Sequence, residues 1–283
     1  MSKGKVIVCI TLAVAMVVTF GIVLVYNTSE FFEWRRDGRI AWENTRMVQN
    51  IFSAPMEDAV VSIDDIINIV ISNAEDEVIV ERPDMSQFRG VIDALDEVRA
   101  VTGNEHIIAY IYISGTNVNN VVMQTTNNSF YLSRDIFGRH NLNGSLFMDF
   151  RNNPDFMDRN TIIYGHNNRD GTIFHNLRYY VGANRLAFFE AHPHIIIVTD
   201  SEVLIYEIFS TFSTRIDFNY IQVDFDDDEF EAFVQELNTR RVFDTGILAT
   251  VDDSLLILSS CTNVHRDERI VVASRLAGRF LID

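Results

Sequence analysis

Eight short runs rich in β-branched and aromatic residues constrain this chain more than anything else in it. They are IIAYIYIS (107–114), NVVMQ (120–124), SLFMDF (145–150), TIIYG (161–165), IIIVT (195–199), VLIYEIF (203–209), SLLILSS (254–260) and IVVASRL (270–276). Turn-rich stretches such as Ser114-Gly115-Thr116-Asn117 and Asn167-Asn168-Arg169-Asp170-Gly171 separate them. Many short strands with few long helices imply a closed barrel or a sandwich. Asp226-Asp227-Asp228-Glu229 interrupts the pattern by opening a helix with Phe230, Phe233, Val234 and Leu237 on one side. Acidic side chains in a first turn complement the helix dipole, so this acidic run reads as a cap rather than a metal site.

The N-terminal part has a different character. Val6 to Tyr26 contains no charged residue, and a hydrocarbon core about 30 Å thick needs roughly 20 helical residues to cross it. Lys3 and Lys5 precede the run and favour a cytoplasmic N-terminus. The apolar part of a cleaved signal peptide is normally shorter, and no clean small-x-small site follows Tyr26. The segment therefore reads as an uncleaved anchor with the rest of the chain outside the cell. Beyond it, Ser29 to Phe52 and Asp58 to Asn73 are expected to form helices, the second carrying Val60, Ile63, Ile66, Ile67 and Val70 on one face. Pro83 breaks that pattern. A further helix carries Phe88, Val91, Ile92, Leu95 and Val98, and Gly103 stops it. The expected division is a stub at 1–5, an anchor at 6–26, a helical stalk at 27–103 and a β domain at 104–283.

Charge narrows the function by exclusion. With 40 acidic against 23 basic residues the net charge is −17, and a nucleic-acid partner would need clustered Lys and Arg. No cofactor motif and no metal-ligand cluster of convincing spacing appears, so neither is expected.

Cysteine usage points to a chemistry. Cys9 lies inside the apolar run and Cys261 near the C-terminus, so the outer domain carries one lone thiol. A free cysteine can be a small buried hydrophobe or a reactive group, and the residues alone leave both readings open. Thiol catalysis needs a base or cation to raise the thiolate fraction, and a donor for the developing oxyanion. His166 stands out among the seven histidines because it directly follows the strand TIIYG, where Gly165 permits close backbone approach. His192 and His194 flank a proline in a loop and His106, His140 and His265 sit in polar contexts, so each reads as an exposed residue, while His175 follows an aromatic in a helical-looking stretch. For the cation, Arg269 opens the strand after Cys261, and a hairpin through 262–268 would set the two side by side. Arg266 inside that loop is the rival.

These segments resemble those of class B sortases. Ile257-Leu258-Ser259-Ser260-Cys261 followed by Arg269-Ile270-Val271-Val272 is similar to the TLxTC…R signature, with Ile257 and Ser260 where threonines are usual. NTIIYGHNNRDGTIFHNL (160–177) is similar to the family's strand-end Gly-His, DG turn and Phe-x-x-Leu. SGTNVNNVVMQ (114–124), NNSFYLSRD (127–135) and GSLFMDFRN (144–152) resemble the family in order and spacing, as does the inserted helix at 226–240. The resemblance implies a mainly β fold: a closed eight-stranded barrel with an N-terminal helical extension, the inserted helix and a transmembrane anchor. It implies a cysteine transpeptidase of a Gram-positive cell surface, with Cys261 as nucleophile, His166 as acid–base and Arg269 as oxyanion donor. The implied partners are secreted proteins bearing a C-terminal sorting motif and a peptidoglycan amine. A pilin polymerase with a lysine acceptor, or a non-catalytic barrel that binds sorting peptides, would carry the same motifs.

Overall fold

The structure is a computed structural model that describes residues 3–75, 84–215, 218–261 and 268–282, without the side chains of Cys261, 60–65, 67–75 and most of 3–27. The chain divides into two compact units, residues 1–40 and 41–283.

The second unit is built on a closed barrel of β1 (Ile107–Tyr112), β2 (Asn119–Met123), β3 (Phe147–Met148), β4 (Asn160–Gly165), β5 (His194–Val198), β6 (Glu202–Thr214), β7 (Leu255–Cys261) and β8 (Arg269–Leu281). Around the barrel the order is β1-β2-β3-β4-β7-β8-β6-β5, so the barrel and not the sandwich is the outcome. The β2–β3 and β4–β7 pairs are parallel and the others antiparallel. Strand alternation divides the apolar side chains between inside and outside. Ala109, Ile111, Ile163, Ile197, Leu204, Leu256, Leu258 and Val272 belong to one buried cluster. Leu255, Ile257, Val271 and Ala273 alternate with them, and pack with Phe230, Phe233, Val234 and Leu237 of a helix, Asp227–Arg240.

That helix starts as expected from its acidic run. The Asp226 carboxylate accepts from the Glu229 backbone N–H at 2.8 Å, and the Glu229 carboxylate accepts from the Asp226 N–H at 3.1 Å. Two orphan donors are satisfied by this reciprocal pair.

The helical extension differs from the expected two pieces: one helix runs through Lys3–Glu75, with Pro55 inside it. Burial of Val48, Phe52, Met56 and Ala59, on one stripe either side of the proline, carries the helix through. Phe52 stacks on Tyr110 of β1 at 3.9 Å between ring centroids. The next helix, Arg89–Thr102, buries Val91, Ala94, Leu95 and Val98 in the same cluster and ends at Gly103 with φ 64°.

The run Val6–Tyr26 has helical backbone, but most of its side chains lie outside the described ones, as do those of Val60, Ile63, Ile67 and Val70. Among the described residues no helix is long and apolar enough to cross a membrane.

Two local expectations give way to the structure. The run 145–150 is a strand only at Phe147–Met148, although the Leu146 carbonyl accepts from Met123 N–H at 3.1 Å and the Asp149 N–H donates to the Ile162 carbonyl at 2.9 Å. The helical-looking stretch of His175 is a 3-10 helix, His175–Tyr180, and a short helix at Arg185–Ala191 precedes His192. His194 belongs to β5, not to a loop.

Candidate active site

Strand register brings the residues together. β4 and β7 run parallel from Asn160 opposite Leu255 to Gly165 opposite Ser260. The next residue on each strand is His166 and Cys261. On its other side β7 pairs with β8, and Cys261 is the partner of Arg269. The backbone of Cys261 therefore stands between the strand that leads into His166 and the strand that begins at Arg269. The expected hairpin register of Cys261 and Arg269 is present, while Arg266, His265 and the rest of 262–267 lie outside the described residues.

A cleft of about 380 Å³ opens at this rim. His166, Arg269, Ser259, Ser260 and Gly165 line it together with Asn128, Leu132, Tyr164 and Tyr220. None of the other described histidines lines it.

Gly165 is required just before His166. A Cβ there would come within 2.7 Å of the Phe174 ring and 2.9 Å of Ile173, closer than real Cβ contacts allow. The Phe174 N–H donates to the His166 carbonyl at 3.0 Å, closing the loop that follows. The imidazole Nε2 lies 2.8 Å from the Leu132 carbonyl oxygen. The guanidinium of Arg269, partly buried, donates through Nη1 to the Glu268 carbonyl at 3.1 Å.

Two serines that precede Cys261 on β7 have different tasks. Ser260 Oγ donates to the Gly165 carbonyl at 2.8 Å, while Ser259 Oγ and the Tyr220 hydroxyl are 2.9 Å apart. Asn160 Nδ2 donates to the carbonyls of Tyr220 and Gln222 at 3.3 and 2.8 Å, which ties the Tyr220 wall to β4. Ile257 does not line the cleft; it is fully buried against the inserted helix. Its departure from threonine is therefore a change under that helix, because alternation turns it away from the barrel interior.

A buried carboxylate behind the wall escaped the sequence reading. Asp149 accepts from Asn128 Nδ2 at 2.8 Å, the Tyr164 hydroxyl at 2.8 Å and Arg151 Nε and Nη2 at 2.9 and 2.8 Å. Burial pushes its pKa up, but the hydrogen bonds from Arg151, Tyr164 and Asn128 outweigh this and hold it below the ordinary aspartate value. Burial, then the adjacent Asp149 charge, pushes the Tyr164 phenol well above its ordinary value, so it stays a neutral donor. The available signal was an acid inside the apolar run SLFMDF. A side chain of that type is rarely buried unless paired.

Among the described residues no group of His, Cys, Asp and Glu could hold a metal ion.

The Sortase domain family matches residues 111–277. Sortase B of Staphylococcus aureus (strain NCTC 8325 / PS 47) is 35% identical over 178 residues, covering 61% of this chain and 71% of the relative. The structure of a Staphylococcus aureus sortase B–substrate complex superposes with TM-score 0.59 at 32% identity, over 65% of this chain and 84% of that one. A crystal structure of sortase B complexed with triglycine superposes with TM-score 0.60 at 31% identity, over 68% and 88%. With the barrel, the rim and these relatives in agreement, the chain belongs to the sortase family, in its class B, and is a cysteine transpeptidase.

Proposed function

We propose that this enzyme cleaves a C-terminal sorting motif of secreted proteins through a thioester on Cys261 and transfers the acyl group to a peptidoglycan amine. The observation that carries this reading is the register that sets the Cys261 backbone between Arg269 and the strand leading into His166.

In the proposed cycle the Cys261 thiolate attacks a peptide carbonyl of the sorting motif, forming a C–S bond. Arg269, always protonated and rich in donors, stabilises the tetrahedral oxyanion. The intermediate collapses as the C–N bond breaks, and His166 protonates the leaving amine. The acceptor amine then attacks the thioester, gives its proton to His166 and expels the thiolate. General acid–base help of this type is typically worth about 10²–10⁴-fold. A relative solved with substrate and another solved with triglycine support a site that handles both a donor and an acceptor.

We further propose that Val6–Tyr26 anchors the enzyme, with residues 1–5 cytoplasmic and the catalytic domain at 104–283 held outside by 27–103. What supports the anchor is its uncharged length and the preceding Lys3 and Lys5. Confinement to the membrane face would raise the effective concentration of exported substrates.

The direct test is turnover of a fluorogenic sorting peptide with an amine acceptor. Cys261→Ala should abolish transfer and cleavage; near-normal activity of that variant would refute the reading.

A further inference from the structure

We propose that the Leu132 carbonyl and Gly144 form a clamp that fixes His166 as the Nε2–H tautomer, so that Nδ1 is the atom that gives and takes the proton. The inference rests on the acid–base reading of His166 and adds which nitrogen acts and what holds it.

The first support is chemical. A backbone carbonyl only accepts, so the 2.8 Å contact between His166 Nε2 and Leu132 O requires Nε2 to carry hydrogen. In a neutral ring the lone pair then belongs to Nδ1. Protonation in the cycle adds a hydrogen at Nδ1 and leaves the bond to Leu132 intact.

The second support is steric and independent of the first. The Cδ2 atom, which neighbours Nε2 in the ring, faces Gly144. A Cβ on Gly144 would stand 2.9 Å from Cδ2, 2.7 Å from the Tyr131 carbonyl oxygen and 2.9 Å from the Leu132 carbonyl oxygen. Gly144 has φ 59°, which a residue with a side chain rarely adopts. The residue at this turn must be bare for the ring and its acceptor to meet.

The acceptor itself is held. The Ser145 N–H donates to the Tyr131 carbonyl at 3.0 Å and the Asn141 N–H to the Ser133 carbonyl at 3.0 Å. Ser145 Oγ donates to the Arg134 carbonyl at 2.9 Å. These bonds stitch the 131–134 segment to the 141–145 turn, so carbonyl and glycine move as one piece. On the histidine side, Asn167 bridges to Ile173. Ile173 itself is a β-branched residue at φ 59°, kept there by burial.

The test uses the full-length chain, ¹⁵N-labelled at histidine and solubilised in detergent, with long-range ¹H–¹⁵N correlation spectra. His166→Gln assigns the ring signals. A neutral His166 with its proton on Nε2 is the expected result; a proton on Nδ1 would overturn the clamp while leaving acid–base catalysis by His166 standing. Gly144→Ala should lower kcat about 100-fold, in line with the cost of misplacing a catalytic group by an ångström, with KM within about threefold and mixed tautomers. Gly138→Ala is the control for backbone strain, since Gly138 has φ 72° and open space around it. It should keep both rate and tautomer. Unchanged kcat and tautomer in Gly144→Ala would overturn the proposal, as would equal losses in both glycine variants. Full activity of His166→Gln would instead refute the acid–base reading itself.

Discussion

Ser260 donates its hydroxyl to the carbonyl of Gly165 at 2.8 Å, across the last paired position of β4 and β7. The bond ties together two strand ends whose next residues are His166 and Cys261. The parallel pairing of β4 with β7 ends at this position, so no further backbone pairing between these two strands fixes the spacing of the residues that follow. The serine hydroxyl adds a lateral constraint where the chemistry needs fixed spacing.

Ser260→Ala should therefore cost stability and turnover together. Loss of one buried hydrogen bond is worth about 1 kcal/mol, or roughly 2–4 °C in Tm for a domain of this size. Ser260→Thr, which keeps the hydroxyl, should retain both. Thermal melts and peptide turnover of the two variants check this; an alanine variant indistinguishable from wild type would remove the role assigned to the bond.

Gly165→Ala tests the close approach before His166. Phe174 and Ile173 leave no room for a methyl group, and overpacking of this kind costs about 1–3 kcal/mol. The expected outcome is a lower Tm with a larger fall in turnover than Ser260→Ala gives, because the displaced backbone carries the imidazole.

Asp149 should give the fold an acid-side pH dependence. Its pKa is lowered in the folded state, so the folded protein binds the proton less readily than the unfolded chain. The resulting stabilisation is present above the unfolded value of about 3.9 and is lost as pH falls through the lowered folded value. Asp149→Asn should flatten Tm against pH in that acidic window and lower Tm at neutral pH. Parallel Tm profiles for the two proteins would contradict the assignment.

Arg269→Ala should keep the fold and lose on the order of 10²–10³ in kcat, the usual cost of one oxyanion donor. Arg269→Lys should recover part of it, since a single ammonium replaces a planar fork. Arg266→Ala serves as comparison and should stay near wild type. The reverse ranking of Arg266 and Arg269 would reassign the donor.

Much of this arrangement could be read from residue order. All eight strand runs and the capped helix at Asp227–Arg240 carry strong local signals: β-branched alternation in the first case, acidic residues ahead of an aromatic face in the second. His166 and Arg269 stand out because each adjoins a strand end, a local property. Less visible were features set by distant packing. The expected helices at 29–52 and 58–73 are one, because burial of Phe52 and Met56 keeps the helix whole across Pro55. The Asp149 network joins Asn128, Arg151 and Tyr164, which no local pattern links. Ile257, where the family usually has threonine, is set under the inserted helix by strand alternation, which the residue order alone does not reveal.

The most direct measurement is intact and peptide-level mass spectrometry of the full-length enzyme, mixed with a sorting peptide and quenched before acceptor is added. An acyl adduct on Cys261, cleared by amine and missing in Cys261→Ala, is the expected result. Turnover without any adduct on that sulfur, or an adduct carried by another residue, would contradict the account.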